Sequence, residues 1–304
     1  MPRTGRVAVV VAAVLAATTA PSPVSAGGDA GPRDVHPALR PNLVAYYDFD
    51  HPLPGDPALE QDQGRSSTEI ELVNGGTAMR VADRAYPGGG RVLQTRQVNP
   101  GVTGNDDWKA GIYSASGVRT LRPFSNAEGT TVMGWFKRSM DGPAAGFNAI
   151  GLAGVLTGDS DGHAVRALLE LIDVNGTLKL VALGRRLDGG NSQTFAADED
   201  WRTLLPKDKW VHLTATFDFT TGTMALYRDG KAVPGSYTRA DDPWLINGPG
   251  PHVTSAADAR GIKIGGSFPQ NTVERNPCEC RMDALMFLDR SLTAREVANQ
   301  FRRF

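Results

Sequence analysis

The chain has 304 residues, with 32 Lys and Arg against 33 Asp and Glu and a formal net charge of −1. This near-neutral balance contains no long run of one sign, which argues against nucleic acid or an anionic membrane as partner. A content of 35 Gly and 20 Pro favours many short strands joined by turns over a helical bundle.

Arg3 and Arg6 precede an apolar run from Val7 to Ala17, and Val24-Ser25-Ala26 places small residues at the −3 and −1 positions of a cleavage site. This is the pattern of a secretory signal peptide over residues 1–26. The run is too short for a bilayer span, which needs about 20 apolar residues. The mature protein is therefore expected to be secreted and extracellular, with no membrane anchor. Residues 27–42 combine Gly, Asp, Ala and Pro without apolar periodicity and read as a disordered leader. Residues 43–304 read as one domain.

Strand patterns follow in order. Leu43 to Asp50 is rich in aromatics, and Arg91 to Thr95 follows the triple glycine Gly88–Gly90. Thr130 to Lys137 is a third strand. Val165 to Asp173 and Thr177 to Leu183 are split by Asn175-Gly176, a strong hairpin signal because both central residues of a type I′ turn need positive φ. Trp210 to Asp218 alternates, with Val211, Leu213, Ala215 and Phe217 assigned to one face. Asp229-Gly230 closes a second hairpin between Thr223–Arg228 and Lys231–Val233. Gly261–Gly265 and Met282–Leu288 are the last strands. Thr293 and Glu296 have the spacing of a capping box, which predicts a short C-terminal helix burying Val297. Sequential hairpins without a βαβ alternation imply an all-β, two-sheet antiparallel sandwich.

The run Trp210-Val-His212-Leu-Thr-Ala-Thr-Phe-Asp218, then Gly222, then Leu226-Tyr-Arg-Asp229-Gly230, resembles the middle signature of laminin-G-like (concanavalin A-like) jelly rolls. Ile264-Gly265-Gly266 resembles the next strand of that family. Arg281 to Leu292 with Glu296 resembles its ending, and Val44 to Asp50 its opening. The resemblance runs from 43 to 301 and is interrupted by four long insertions, around 98–129, 140–163, 184–209 and 234–260. These are expected to be loops, where specificity would be held. The resemblance implies a jelly-roll fold and a structural Ca²⁺ where the first and last strands meet. Asp50 and Asp283 match the positions expected of its ligands, and Gly88–Gly90 could add a carbonyl. The alternative is that both Asp side chains cap strand ends in water.

Catalytic patterns are sparse. Glycosidases on this fold use paired carboxylates on one strand face. Glu170 and Asp173 are three apart and would face opposite ways without a bulge. Glu170 is either a ligand-facing acid or a charge in solvent or paired with Arg166. Trp108 to Tyr113 faintly resembles an alginate-lyase motif, but the partner motifs of that group are absent. A lyase would draw on residues of the type of His212, Tyr227 and Arg166, although a structural role is the simpler account of His212. Neither a nucleophile elbow nor a zinc spacing is found. Cys278 and Cys280 are expected to form a local disulfide in an oxidising compartment. Trp135 and Trp210 lie in alternating strands. Trp108, Trp201 and Trp244 lie in insertions, where each either stacks on a sugar or pins its loop.

Trp135, Glu170 and His212 are the expected ligand-binding residues. The expected function is recognition of extracellular carbohydrate or protein. A polysaccharide-degrading lyase or hydrolase on the same fold is the alternative, and an adhesive surface protein a third reading.

Overall fold

The computed structural model describes residues 32–98, 106–143, 149–156, 165–185, 192–239, 258–266, 276 and 278–304. The expected signal peptide and Trp244 lie outside them. In chain order the strands begin with β1 (Leu43–Tyr47), β2 (Pro52–Leu53), β3 (Asp56–Glu60), β4 (Ile70–Val73), β5 (Arg80–Ala82) and β6 (Arg91–Gln94). Next come β7 (Lys109–Tyr113), β8 (Gly129–Arg138), β9 (Ala149–Leu156), β10 (Val165–Val174), β11 (Thr177–Arg185) and β12 (Ser192–Ala197). The last six are β13 (Val211–Asp218), β14 (Thr223–Arg228), β15 (Lys231–Val233), β16 (Gly235–Tyr237), β17 (Gly261–Ile264) and β18 (Cys280–Leu288). A one-turn helix α1 (Trp201–Leu204) precedes β13, and α2 (Ala294–Phe301) ends the chain.

These strands make two antiparallel sheets. Sheet A has the order β15-β14-β13-β8-β18-β6-β5, with β1 also paired to β18. Sheet B has the order β16-β12-β11-β10-β9-β17-β7-β4-β3-β2. Both expected hairpins form. Asn175 and Gly176 have φ of 54° and 82°, and Asp229 and Gly230 have φ of 50° and 74°. Val211, Leu213, Ala215 and Phe217 do share a face. They pack with Phe136 and Phe287 of sheet A against Leu169, Leu171, Leu180 and Ile262 of sheet B. Each of the larger of these side chains contributes about 1.5–3 kcal/mol when fully buried.

Two expectations are revised. The insertions are not loops throughout, because β7, β9, β12 and β16 fall inside them and extend sheet B. In addition, residues 32–42 are ordered. Val35, Leu39 and Leu43 recur every fourth residue, and all three are buried in one cluster with Tyr46, Met133 and Met286. Pro37 and Pro41 fit the 3-10 turn Pro37–Asn42 that presents them, since a fixed φ suits a helical turn.

The outer face of sheet A is thereby covered from both chain ends. The capping box of α2 is complete, with Thr293 accepting from the Glu296 amide and Glu296 accepting from the Thr293 amide. Arg290 holds both Glu296 carboxylate oxygens, at 2.8 and 3.1 Å. Val297 is buried against Leu292 and Met286. No helix among the described residues is long and apolar enough to cross a membrane. Thr293→Ala should lower unfolding stability by about 1 kcal/mol, the usual cost of losing a Thr cap. Urea denaturation followed by tryptophan emission would measure this, and an unchanged midpoint would show that α2 is held by packing alone.

Candidate functional site

The sheet itself creates the first feature of interest. β6 and β1 pair with the same edge of β18, β6 opposite Arg281 and Met282 and β1 opposite Leu285 to Leu288. The end of β1 therefore runs into the start of β6. The register of β18 shifts between Asp283 and Met286. Phe49 and Ala284 take up the break with φ of 60° and 48°, a conformation that non-glycine residues adopt only at some cost.

Carboxylates gather at this break around the triple glycine. A Cβ on Gly88 would lie 3.3 Å from Asp34 Oδ1, one on Gly89 3.1 Å from Asp283 Oδ2, and one on Gly90 2.7 Å from both Asp50 oxygens. Three successive glycines thus touch three acids, and side chains there would crowd them. Asp283 is the floor, with only 1% of its surface exposed. Its Oδ1 accepts from the Ala284 amide at 2.7 Å. Its Oδ2 is buried with no hydrogen-bond partner. Burial, with the carboxylates of Asp48, Asp50 and Asp34, pushes the Asp283 pKa up to about 9. Asp50 lies at the exposed rim, where its Oδ1 accepts from the Arg91 amide at 2.8 Å. The structure therefore brings the two expected metal ligands to one glycine run. An oxygen-only donor set with an orphaned buried carboxylate suits a hard cation such as Ca²⁺. Asp50 and Asp283 are the side chains that could hold it, with backbone carbonyls and water left to complete the shell, since no three acids at the break have oxygens within 4.8 Å of one another.

Among the described residues, the metal-type side chains that do bring three ligand atoms within 4.8 Å of one another are Asp48, His51 and Glu60, and they make no comparable demand. His51 Nδ1 lies 2.7 Å from Asp48, and Glu60 binds the Arg80 guanidinium at 2.9 and 2.5 Å. Their donors are already satisfied.

The expected ligand-binding trio does not form one site. Trp135 and His212 are cross-strand neighbours on the outer face of sheet A, and Glu170 lies on sheet B. His212 has no exposed surface. Its ring lies 5.4 Å from Trp135, 5.9 Å from Phe301 and 5.4 Å from Phe304. The C-terminal residues close the His212 ring off, so its role is packing. Both imidazole nitrogens lack partners, and burial pushes the His212 pKa down to about 3. Glu170 is buried, 3.9 Å from Lys263 Nζ and 3.3 Å from Asn276 Nδ2. Burial raises its pKa, with Lys263 and Asn276 opposing. Asp173 does not join it. Its Oδ1 accepts from the Gly176 amide in the hairpin turn. No retaining carboxylate pair forms from these two acids.

Trp201, expected in a loop, is 2% exposed and joins the core. The guanidinium groups of Arg138 and Arg202 each lie 4.6 Å from its ring. Trp108 is half-buried and lines a cavity of about 480 Å³ with Gln94, Arg96, Lys137, Glu279 and Arg281. The Arg96 guanidinium lies 5.1 Å from the Trp108 ring. This cavity adjoins the acidic break. Arg281 and Asp283 are two apart on β18, and Lys137 and Trp135 are two apart on β8. Loop 83–90 joins the two places. Asp83 accepts from Lys137 and from Arg281 at the cavity, which holds its carboxyl well below the usual range against the opposing effect of burial. Gly88–Gly90 lies at the other end. Sequence reasoning reached Trp108 but not its basic and polar neighbours, which come from strands far apart in the chain. Cys278 and Cys280 are joined as a buried disulfide with Cα atoms 5.4 Å apart.

Residues 111–298 match the Laminin_G_3 family model, described as the concanavalin A-like lectin/glucanases superfamily. The chain belongs to that family. No curated protein sequence matches it. Among solved structures, Trypanosoma rangeli sialidase with 2,3-difluorosialic acid aligns at 17% identity and a TM-score of 0.50, over 86% of this chain and 32% of the sialidase. The binding domain of botulinum neurotoxin serotype G aligns at 10% identity and a TM-score of 0.53, over 86% of this chain and 51% of that one. The chain thus spans about a third to a half of these structures, and at such identities the likeness is one of fold.

The buried histidine generates a pH prediction. Its folded pKa lies below the ordinary 6.5, so the unfolded state binds more protons between those values. Its contribution to stability is complete above pH 6.5 and is lost as pH falls toward 3, by about 1.4 kcal/mol per pH unit. His212→Phe should remove that component. Chemical denaturation of both proteins from pH 7 to 4 would read it, and parallel pH profiles would contradict the burial of a neutral imidazole.

Proposed function

We propose that this protein is an exported recognition domain that binds extracellular carbohydrate, with Ca²⁺ held at Asp50 and Asp283. The observation that carries the reading is the position of the Trp108 cavity beside the carboxylate break, with one loop, 83–90, touching both. Bound Ca²⁺ would neutralise the clustered carboxylates and order that loop. Asp83 would then hold Lys137 and Arg281 in place at the cavity wall. The indole of Trp108 offers an apolar face for a sugar ring. Gln94, Arg96, Lys137, Arg281 and Glu279 supply donors and acceptors around it, the usual composition of a small-ligand site. Family membership supports a lectin-type role. The buried state of His212 and the separation of Glu170 from Asp173 weigh against the catalytic alternative.

Glycan binding measured with Ca²⁺ present should fall at least about fivefold in Trp108→Ala, the loss expected at an interface anchor. It should be unchanged in Lys179→Ala, on sheet B. No reducing ends or unsaturated products should appear from the bound polymers. Product release would replace this reading with a polysaccharide-degrading enzyme. Equal binding by both variants would move the site away from the Trp108 cavity.

A further inference from the structure

Three basic side chains line the Trp108 cavity, and they are held in different ways. Lys137 and Arg281 share one carboxylate, that of Asp83, with Arg281 Nη1 at 2.6 Å from it. Arg281 also donates through Nε to Gln94 Oε1 at 3.0 Å. Its Nη2 has no hydrogen-bond partner among the described residues. Arg96 is exposed and makes no ion pair among the described residues. Its guanidinium is laid instead on the Trp108 ring, at 5.1 Å. An indole fixes a cation in place without cancelling its charge, whereas a carboxylate cancels it. The Arg96 and Trp108 backbones are fixed as well, exchanging hydrogen bonds of 3.1 and 3.0 Å. Arg96 is thus a positioned cation, not neutralised, at the wall of the cavity.

Two acids line the same cavity, Glu279 and Asp208. Neither makes an ion pair with Arg96, Lys137 or Arg281 among the described residues. The Glu279 backbone is pinned by the disulfide on either side of it. It is pinned also by Ser139, whose amide and hydroxyl each donate to the Glu279 carbonyl at 2.9 Å. The cavity therefore keeps opposite charges apart on one wall. A small inorganic anion would satisfy the cations and be repelled by the acids. A neutral sugar would offer hydroxyls to the acids and leave Arg96 unanswered. A sugar that carries an anionic group meets both demands. Its hydroxyls donate to carboxylates, and its own carboxylate or sulfate accepts from guanidinium N–H groups.

We propose that the glycan taken by this cavity is an acidic one, its anionic group received by Arg96 and the free Nη2 of Arg281, its hydroxyls by Glu279 and Asp208. This rests on the recognition reading above and names the ligand class for the same cavity. General attraction of polyanions does not produce such a preference, because the formal net charge of the chain is −1. The selectivity is local to the Arg96 wall.

Two matched pairs of probes, titrated against the purified full chain with Ca²⁺ present, test this. One pair is oligogalacturonate and its methyl ester, the other dextran sulfate and dextran. In at least one pair the charged member should bind about tenfold tighter or more, the gain expected of a charge-assisted hydrogen bond. The margin should shrink as salt rises, and the pair that shows it tells carboxylate from sulfate. Arg96→Gln keeps a long polar side chain and should erase the margin while leaving binding of the neutral member unchanged. Glu279→Gln keeps an acceptor for a hydroxyl and should tighten binding of the charged member. Arg202→Gln, at an arginine stacked on Trp201 outside this cavity, should match the unaltered protein. Equal binding within both pairs, or an equal loss in Arg96→Gln and Arg202→Gln, would overturn the inference and leave glycan recognition standing. No binding to any of the four probes would overturn both.

Discussion

Two strands that end against one edge of a third form the constraint on which this structure turns. β1 and β6 cannot both continue along β18, so the pairing breaks between Leu285 and Met282. The side chain at the break, Asp283, is turned into a buried place with one oxygen unanswered. Uncompensated burial of a carboxylate costs several kcal/mol. A protein retains such a group when something outside the chain completes it or when the chain tolerates a neutral acid. The triple glycine favours the first, since it leaves the backbone bare where Asp34, Asp283 and Asp50 approach.

The outer face of sheet A follows from the same break. Its middle is covered by residues 32–42 and by the C-terminal residues, which bury His212 and half-bury Trp135. Beside this cover lies the row of Lys137, Arg281 and Gln94, carried by three neighbouring strands in register. Trp108 faces that row across the cavity. Burial here assigns the roles. The histidine that belongs to the family signature packs in an aromatic cage, and the polar row two residues along the strands faces the cavity. Fold alone would not separate them.

Much of the sandwich was legible in the sequence because its signals are local. Asn175-Gly176 and Asp229-Gly230 demand positive φ, and Val211 to Phe217 alternate with period two. β9 was missed because Ala149 to Leu156 is apolar on both faces and lies in a Gly-rich stretch with no alternation to read. Asp50 and Asp283 could be paired only through the family resemblance, since 233 positions of chain separate them. Asp34 was hidden by the Pro and Gly around it, although Val35, Leu39 and Leu43 carried a spacing of four. Glu170 pairs with Lys263, on a strand that is no sequence neighbour and two strands away in sheet B. Contacts of that kind are set by strand order, which no local pattern encodes.

The most direct measurement is the thermal midpoint of the protein and of Asp283→Asn, each with and without millimolar Ca²⁺. If the break is a cation seat, Ca²⁺ raises the midpoint of the unaltered protein by mass action. Asp283→Asn should be about as stable as the unaltered protein without the ion, because a carboxyl with its pKa pushed up to about 9 is already neutral near pH 7, and Ca²⁺ should not move it. A midpoint of the unaltered protein that ignores Ca²⁺, or one that rises equally in both proteins, would contradict the account.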